Sequence, residues 1–211
     1  FNPSLDSFRK NLLSIQEQVQ KVIVVDNSND ATIQNELKEY LSTVEKVDLI
    51  QPKENLGIAY AQNIGFVHAL KTGANYVITF DQDSSVEHGL VKALYEEYHS
   101  IQQNTSVKIA CIGPSVINER NNVRYEKYFK NSTKIDEATF SVKSIISSGS
   151  LYNIDVFSAI GFNKAEWFID SIDIEWCYRA RYLGYHVLMT TRVAMKHNLG
   201  AKDVSLLAGK S

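Results

Sequence analysis

Tyr76-Val77-Ile78-Thr79-Phe80-Asp81-Gln82-Asp83-Ser84-Ser85 is the stretch around which the chain is organised. Residues 76–80 are β-branched and aromatic, with Gly73 upstream and polar residues downstream, a pattern that predicts a short buried strand. The chain then changes character at once to Asp81, Gln82 and Asp83. Two carboxylates held ~4 Å apart repel by about 4 kcal/mol at an effective dielectric near 20. A positive group should therefore sit close to them. A hard divalent cation, Mg²⁺ or Mn²⁺, suits oxygen ligands at such a place, and Mg²⁺ commonly takes one or two carboxylates together with substrate phosphates. In open α/β sheets ligands collect beyond the carboxyl ends of the strands, where this pair falls. The plain alternative is that Asp81 opens a turn and Asp83 or Ser84 caps the following helix.

The 211 residues are enough for one α/β domain with a sizeable core. A formal net charge of -2 and the lack of a Lys/Arg cluster argue against nucleic acid as the main partner. A polyanionic ligand would then need a metal to neutralise it. Cys111 and Cys177 have neither metal-site nor redox-pair spacing and read as buried thiols in a reducing compartment. No apolar run approaches the ~20 residues that span a bilayer, and no signal peptide is expected.

Working outward, helices are expected around Phe8, Leu12, Ile15 and Val19, around Ile33, Leu37, Leu41 and Val44, and around the small residues Ala59, Ala61, Gly65 and Ala69. Strands are expected at residues 21–25, 47–51 and 108–113, the first running into the polar loop Asp26-Asn27-Ser28-Asn29-Asp30. A helix is expected over 86–103. This alternation predicts a mainly parallel sheet with helices on both faces. Residues 118–143 have no clear period and read as a loop or hairpin. Residues 144–151 read as a strand interrupted at Ser148-Gly149-Ser150, where glycine allows a close approach. Asp170, Asp173 and Glu175 crowd the start of a helix, where the macrodipole favours negative charge. Two short strands, 186–190 and 192–197, close the regular part.

Taken together, Val24-Val25-Asp26-Asn27-Ser28, Asn55-Leu56-Gly57 with Gln62-Asn63-Ile64-Gly65, Asp81-Gln82-Asp83, Ser148-Gly149-Ser150, and the acidic stretch 168–181 followed by Gly184-Tyr185 resemble the family 2 glycosyltransferases, inverting and metal-dependent enzymes with the GT-A fold. The wording of 168–181 and of His197-Asn198-Leu199-Gly200 is most similar to bacterial dTDP-rhamnosyltransferases of cell-surface polysaccharide synthesis. The resemblance implies one domain over 1–211, with a nucleotide-sugar half at 1–115, an acceptor half at 116–200 and a tail at 201–211. It also implies that the family's first strand is missing ahead of Phe1-Asn2, which puts donor binding by this stretch of chain in doubt.

Site residues follow from the resemblance position by position. Asp26, Asn55, Gly57, Asn63 and Asp81 are implied to bind the nucleotide sugar. Asp81, Asp83 and His197 are implied to hold a divalent metal. Asp173 is implied to be the base, with Asp170 its rival and Glu175 a weaker one. Ser148, Gly149, Trp167 and Phe168 are implied to meet the acceptor, with Tyr125, Tyr128 and Phe129 as a cover. Gln62 stands where many members carry Arg. The implied partners are dTDP-rhamnose and a saccharide or lipid-linked saccharide, in the cytoplasm or at the inner face of the membrane with peripheral association. Competing readings are a non-catalytic sugar-nucleotide or glycan-binding module and, from Asp81-Gln82-Asp83-Ser84, a haloacid dehalogenase-type phosphatase.

Overall fold

The computed structural model describes residues 1–197 apart from 83, 85, 119 and 170. Helix α1 (Leu5–Gln16) leads to strand β1 (Val22–Val25), α2 (Ala31–Ser42), β2 (Val47–Ile50), α3 (Ile58–Lys71) and β3 (Tyr76–Ile78). Then come α4 (Leu90–Asn104), β4 (Ile109–Asn118), a 3₁₀ turn (Glu126–Phe129), β5 (Thr133–Lys134), β6 (Thr139–Val142), β7 (Leu151–Asn153), α5 (Val156–Ile160), a second 3₁₀ turn (Ala165–Trp167), α6 (Ile172–Tyr182) and β8 (His186–His197).

The α/β architecture is as expected, but the pairing is mixed rather than mainly parallel. Among the described residues β1 and β2 form a parallel pair of their own, and a second sheet has the order β3-β7-β4-β8-β6-β5. There β4 and β8 are parallel, while β7 runs antiparallel to both β3 and β4, and β6 antiparallel to β8 and β5. β7 is reached from β6 through residues 143–150, which end in a tight turn at 147–150, and not through the kind of helical crossover that sets parallel strands side by side. The expected strand over 144–151 is thus this turn followed by β7. The turn also shortens β3: Thr79 already gives its carbonyl to Gly149 N–H at 2.7 Å and its N–H to Ser150 at 3.2 Å. Residues 186–197 are one strand, with a register shift opposite Pro114/Ser115 where two were expected.

The helical stripes read from the sequence bury as their spacing requires. Leu12 of α1 and Leu37 and Leu41 of α2 pack with Val22, Val24, Val47 and Leu49 on one face of β1 and β2. On α3, Gly65 places its backbone beside Val25, and Phe66 and Ala69 join the main core with Phe157, Trp176 and Met189. Leu90, Leu94, Tyr98 and Ile101 of α4 cover Ile112, Leu151 and Leu188. Cys111 and Cys177 are buried in the main core, facing one another between β4 and α6. Residues 118–143 fold as the 3₁₀ turn and the β5/β6 hairpin, with Phe129 packed edge-on to Phe140. Between β1 and β3, whose facing edges carry no strand partner among the described residues, lies a cavity of about 1150 Å³ with an apolar floor.

One buried ionic tie joins α4, β6 and β8. Glu97 accepts from the Thr139 hydroxyl and from Arg192 Nε at 2.8 Å, and Arg192 reaches Asp136 at 3.3 Å. Arg192→Ala leaves the Glu97 carboxylate buried with one weaker partner. It should lower the unfolding free energy by about 1–3 kcal/mol in urea titration; an unchanged midpoint would show that the tie contributes nothing.

Candidate active site

The polar mouth of the cavity is built by chain segments that leave β1, β3 and the N-terminus of α3. Asp26 continues the β1/β2 ladder by donating its N–H to Ile50 at 2.9 Å. Its carboxylate then turns inward, Oδ1 accepting from Ser28 N–H at 2.9 Å and Oδ2 from Gln51 Nε2 at 3.1 Å. Asn27, equally buried, donates Nδ2 to the Gly57 carbonyl at 2.9 Å, whereas its Oδ1 is buried with no partner. Asn55 Oδ1 accepts from Gly57 N–H at 2.9 Å, an Asx turn that starts α3. Gly57 has φ +88, a conformation that L side chains rarely adopt. Asn27, Asn55, Gly57, Gln62, Asp81, Phe168 and His197 all line the cavity.

Asp81 is held by its backbone. Its N–H donates to Ser148 Oγ at 3.2 Å, its carbonyl accepts from Ser84 N–H at 3.1 Å, and Ser84 Oγ lies 2.6 Å from Ser148 Oγ. From the other side Asn11 of α1 donates to the Gln82 carbonyl at 3.1 Å. Ser148 is only 2% exposed, and Gly149 is buried with Met195 and Pro114 against its Cα. The acceptor contact expected of this pair is therefore replaced by a different task, because a saccharide cannot reach them: they hold the Asp81 loop.

The same turn meets the acidic start of α6. The Asp173 carboxylate accepts from Ile174 N–H at 2.8 Å, and the backbone N–H of Ser147 is close enough to favour its charged form. Asp81 and Asp173 are thus both next to the 147–149 turn, though Asp173 does not itself line the cavity. Burial pushes the Asp173 carboxyl above its ordinary value, against the pull of these N–H groups. Tyr128 faces it from the first 3₁₀ turn, its hydroxyl pushed up by burial and then by the Asp173 charge. Glu175 has a different environment. Arg179 binds it at 2.8 Å through both Nε and a terminal nitrogen, and with Lys164 at 3.5 Å keeps its carboxyl low. Arg179 also donates to the carbonyls of Ile160 and Phe162, so Glu175 braces the loop ahead of α6.

The remaining expected residues divide. Asn63 is not in the cavity wall: its amide exchanges hydrogen bonds with the Asn163 backbone at 2.8 and 3.0 Å. Gln62 accepts from Asn163 Nδ2 at 2.8 Å. Phe168 lies on the cavity side against Gly57, and Trp167 is exposed with Lys164 Nζ 5.8 Å from its ring centre. Asp83, Asp170 and the 198–211 stretch lie outside the described residues. Of the three expected metal ligands, Asp81 and His197 line one cavity; a carboxylate oxygen suits Mg²⁺ or Mn²⁺, and among the described residues no group of three or more His, Cys, Asp or Glu is placed to hold a metal ion. Asn27 and Asn11 were not singled out from sequence. Asn27 could have been, since it sits inside the quoted loop after β1.

Two variants test this geometry. Asp173 carries a raised value, so the folded chain holds that proton where the unfolded chain has released it. Its contribution favours folding below the unfolded value, about 3.9, and is lost as pH rises through the folded one. Asp173→Asn should therefore melt no lower than the parent at pH 7, and a clear drop in Tm would contradict the burial argument. Gly149→Ala places a methyl 3.0 Å from Met195 Sδ at φ +79. A loss of about 1–3 kcal/mol by chemical unfolding is expected, and wild-type stability would show that the turn yields freely.

The comparisons with known proteins agree with this arrangement. The family model described as "Glycosyl transferase family 2" matches residues 2–161. A "dTDP-rhamnosyl transferase RfbF" from Shigella flexneri is 34% identical over 98% of this chain and 69% of its own length. Among solved structures, GalNAc-T7 crystallised with UDP, GalNAc and Mn²⁺ shares 15% identity at a TM-score of 0.66, over 93% of this chain and 42% of that one. Staphylococcus aureus TarS shares 14% at a TM-score of 0.67, over 92% of this chain and 34% of that one. The chain thus spans well under half the length of those two structures. These matches establish that the chain belongs to glycosyl transferase family 2 and is a glycosyltransferase domain with the GT-A fold.

Proposed function

We propose that the chain transfers rhamnose from dTDP-rhamnose to a saccharide hydroxyl with inversion at the anomeric carbon. The observation that carries this reading is that Asp81 lines the cavity while Asp173, next to the same 147–149 turn, is not part of its wall. Such a division fits a donor held on one side and an acceptor approached from the other. The 34% identity to a dTDP-rhamnosyl transferase supports the choice of donor.

In this reading the nucleoside lies against Asn27, Asn55 and Gly57, and the unpartnered Asn27 Oδ1 offers it a hydrogen-bond acceptor. Asp81, Asp83 and His197 would hold the divalent ion, which when bound takes up charge that develops on the departing diphosphate. Asp173 accepts the proton of the attacking hydroxyl. Its burial suits that task, because a base held above the ordinary carboxylate range grips a proton more firmly. The acceptor is a saccharide or lipid-linked saccharide of the cell surface, met at the cytoplasmic face of the membrane by peripheral association. Among the described residues no helix is long and apolar enough to cross a membrane.

Asp173→Asn should reduce turnover by about 10²–10⁴-fold while nucleotide binding persists. Near-wild-type turnover would remove Asp173 from the role of base, whereas nucleotide binding without turnover in the parent itself would favour a donor- or glycan-binding module. In a thermal-shift panel of sugar nucleotides, dTDP compounds should stabilise the chain only when Mn²⁺ is present. An equal response to every nucleotide would overturn the donor assignment.

A further inference from the structure

The segment between the second 3₁₀ turn and α6 is held in an unusual shape. Phe168 has φ +56 and ψ -69, and Ile169 N–H donates across it to the Trp167 carbonyl at 2.6 Å. This is a three-residue γ-turn of the rare, positive-φ kind. Ser171 follows at φ +59. Non-glycine residues persist in such conformations only where the surroundings over-determine them, and such places concentrate at clamps and switches. Yet core packing does not hold this segment, since Phe168 is 48% and Ile169 62% exposed.

What holds it is the donor side of the cavity. The Phe168 carbonyl accepts from Ala59 N–H at 3.3 Å, in the first turn of α3, where the helix supplies no partner of its own. A methyl on Gly57 would stand 2.5 Å from that oxygen and 2.7 Å from the Phe168 ring. The absence of a side chain at Gly57 is therefore what admits Phe168. Its ring and Ile169 share the cavity wall with Asn27, Asn55, Asp81 and His197.

Both flanks of the segment are anchored. Upstream, Asn163 is tied to Asn63 and Gln62. Downstream, α6 is pinned through Trp176 Nε1 to the Gly161 carbonyl at 2.9 Å and through Arg179 to Ile160, Phe162 and Glu175. Any displacement of Phe168 must then be absorbed between Lys164 and the first turn of α6, which carries Asp173.

We infer that Phe168 is a positioning residue: its contact with Gly57 is a latch that a nucleoside diphosphate sugar displaces on entering the cavity, resetting the start of α6 and with it Asp173. This rests on the proposed function, because it takes the cavity as the donor site and Asp173 as the base. The latch links the two halves of the reaction through one strained turn. The base then reaches its working position only when a donor is present, which limits idle attack by water.

The sequence has two tryptophans, and Trp167 lies beside the latch while Trp176 is buried. Titration of the full chain with dTDP and Mn²⁺ should change the tryptophan emission in step with binding measured by calorimetry. The change should vanish in Trp167→Phe, which keeps Trp176. In Phe168→Ala, kcat should fall by about 10- to 100-fold, as for a misplaced catalytic group, while dTDP binds as tightly as in the parent or more so. Phe168→Leu, which keeps bulk beside Gly57, should recover part of kcat. Calorimetric binding with unaltered Trp167 emission, or wild-type kcat in Phe168→Ala, would overturn the latch and leave the proposed function standing. Absence of dTDP binding altogether would overturn both.

Discussion

The hydroxyl of Ser148 is the joint on which the arrangement depends. Buried and 2.6 Å from Ser84 Oγ, it also accepts the N–H of Asp81, so the loop that carries the carboxylate beyond β3 is fastened to the turn before β7. One residue earlier in that turn, the Ser147 N–H lies close enough to the Asp173 carboxylate to favour its charged form. A single turn of the chain therefore lies next to both a carboxylate at the cavity and a carboxylate outside its wall. Buried hydrogen-bonded groups of this kind resist rearrangement, because a broken bond leaves an unsatisfied polar atom with no water to replace the partner.

The rest of the cleft is braced in the same manner. Asn11 holds the Gln82 carbonyl from α1, and Asn27 holds the Gly57 carbonyl from the end of β1. Arg179 gathers Glu175 and the carbonyls of Ile160 and Phe162. Most of these ties run from polar side chains to backbone carbonyls at loops and helix ends. Against this fixed frame, Phe168 and Ser171 stand out as strained, both at positive φ.

Much of the fold was legible because apolar spacing decides it locally. The stripes Leu12, Leu37/Leu41 and Ala59/Ala61/Ala69 became the buried faces of α1, α2 and α3, and the strand at 76–80 was displaced only at its end. The antiparallel entry of β7 was not legible, because strand direction is set by the route of the connecting chain and not by the strand's own residues. The motif Ser148-Gly149-Ser150 drew notice correctly, but its burial could not be read: small residues that admit a ligand and small residues that admit Met195 and Pro114 look alike. Asn63 looked equally suited to a ligand until the Asn163 backbone, 100 residues away, took both ends of its amide. The distinction between Asp173 and Glu175 likewise depended on Arg179, one helical turn beyond Glu175, choosing one carboxylate and leaving the other to burial.

The central claim is that the two carboxylates flanking the 147–149 turn serve opposite faces of one sugar. The most direct measurement is the anomeric configuration of the first product, followed by NMR as the sugar leaves its nucleotide. Inversion relative to the donor is the result the proposed function predicts. Retention of the donor's configuration would contradict it, because Asp173 would then not be activating an alcohol on the side away from the departing diphosphate.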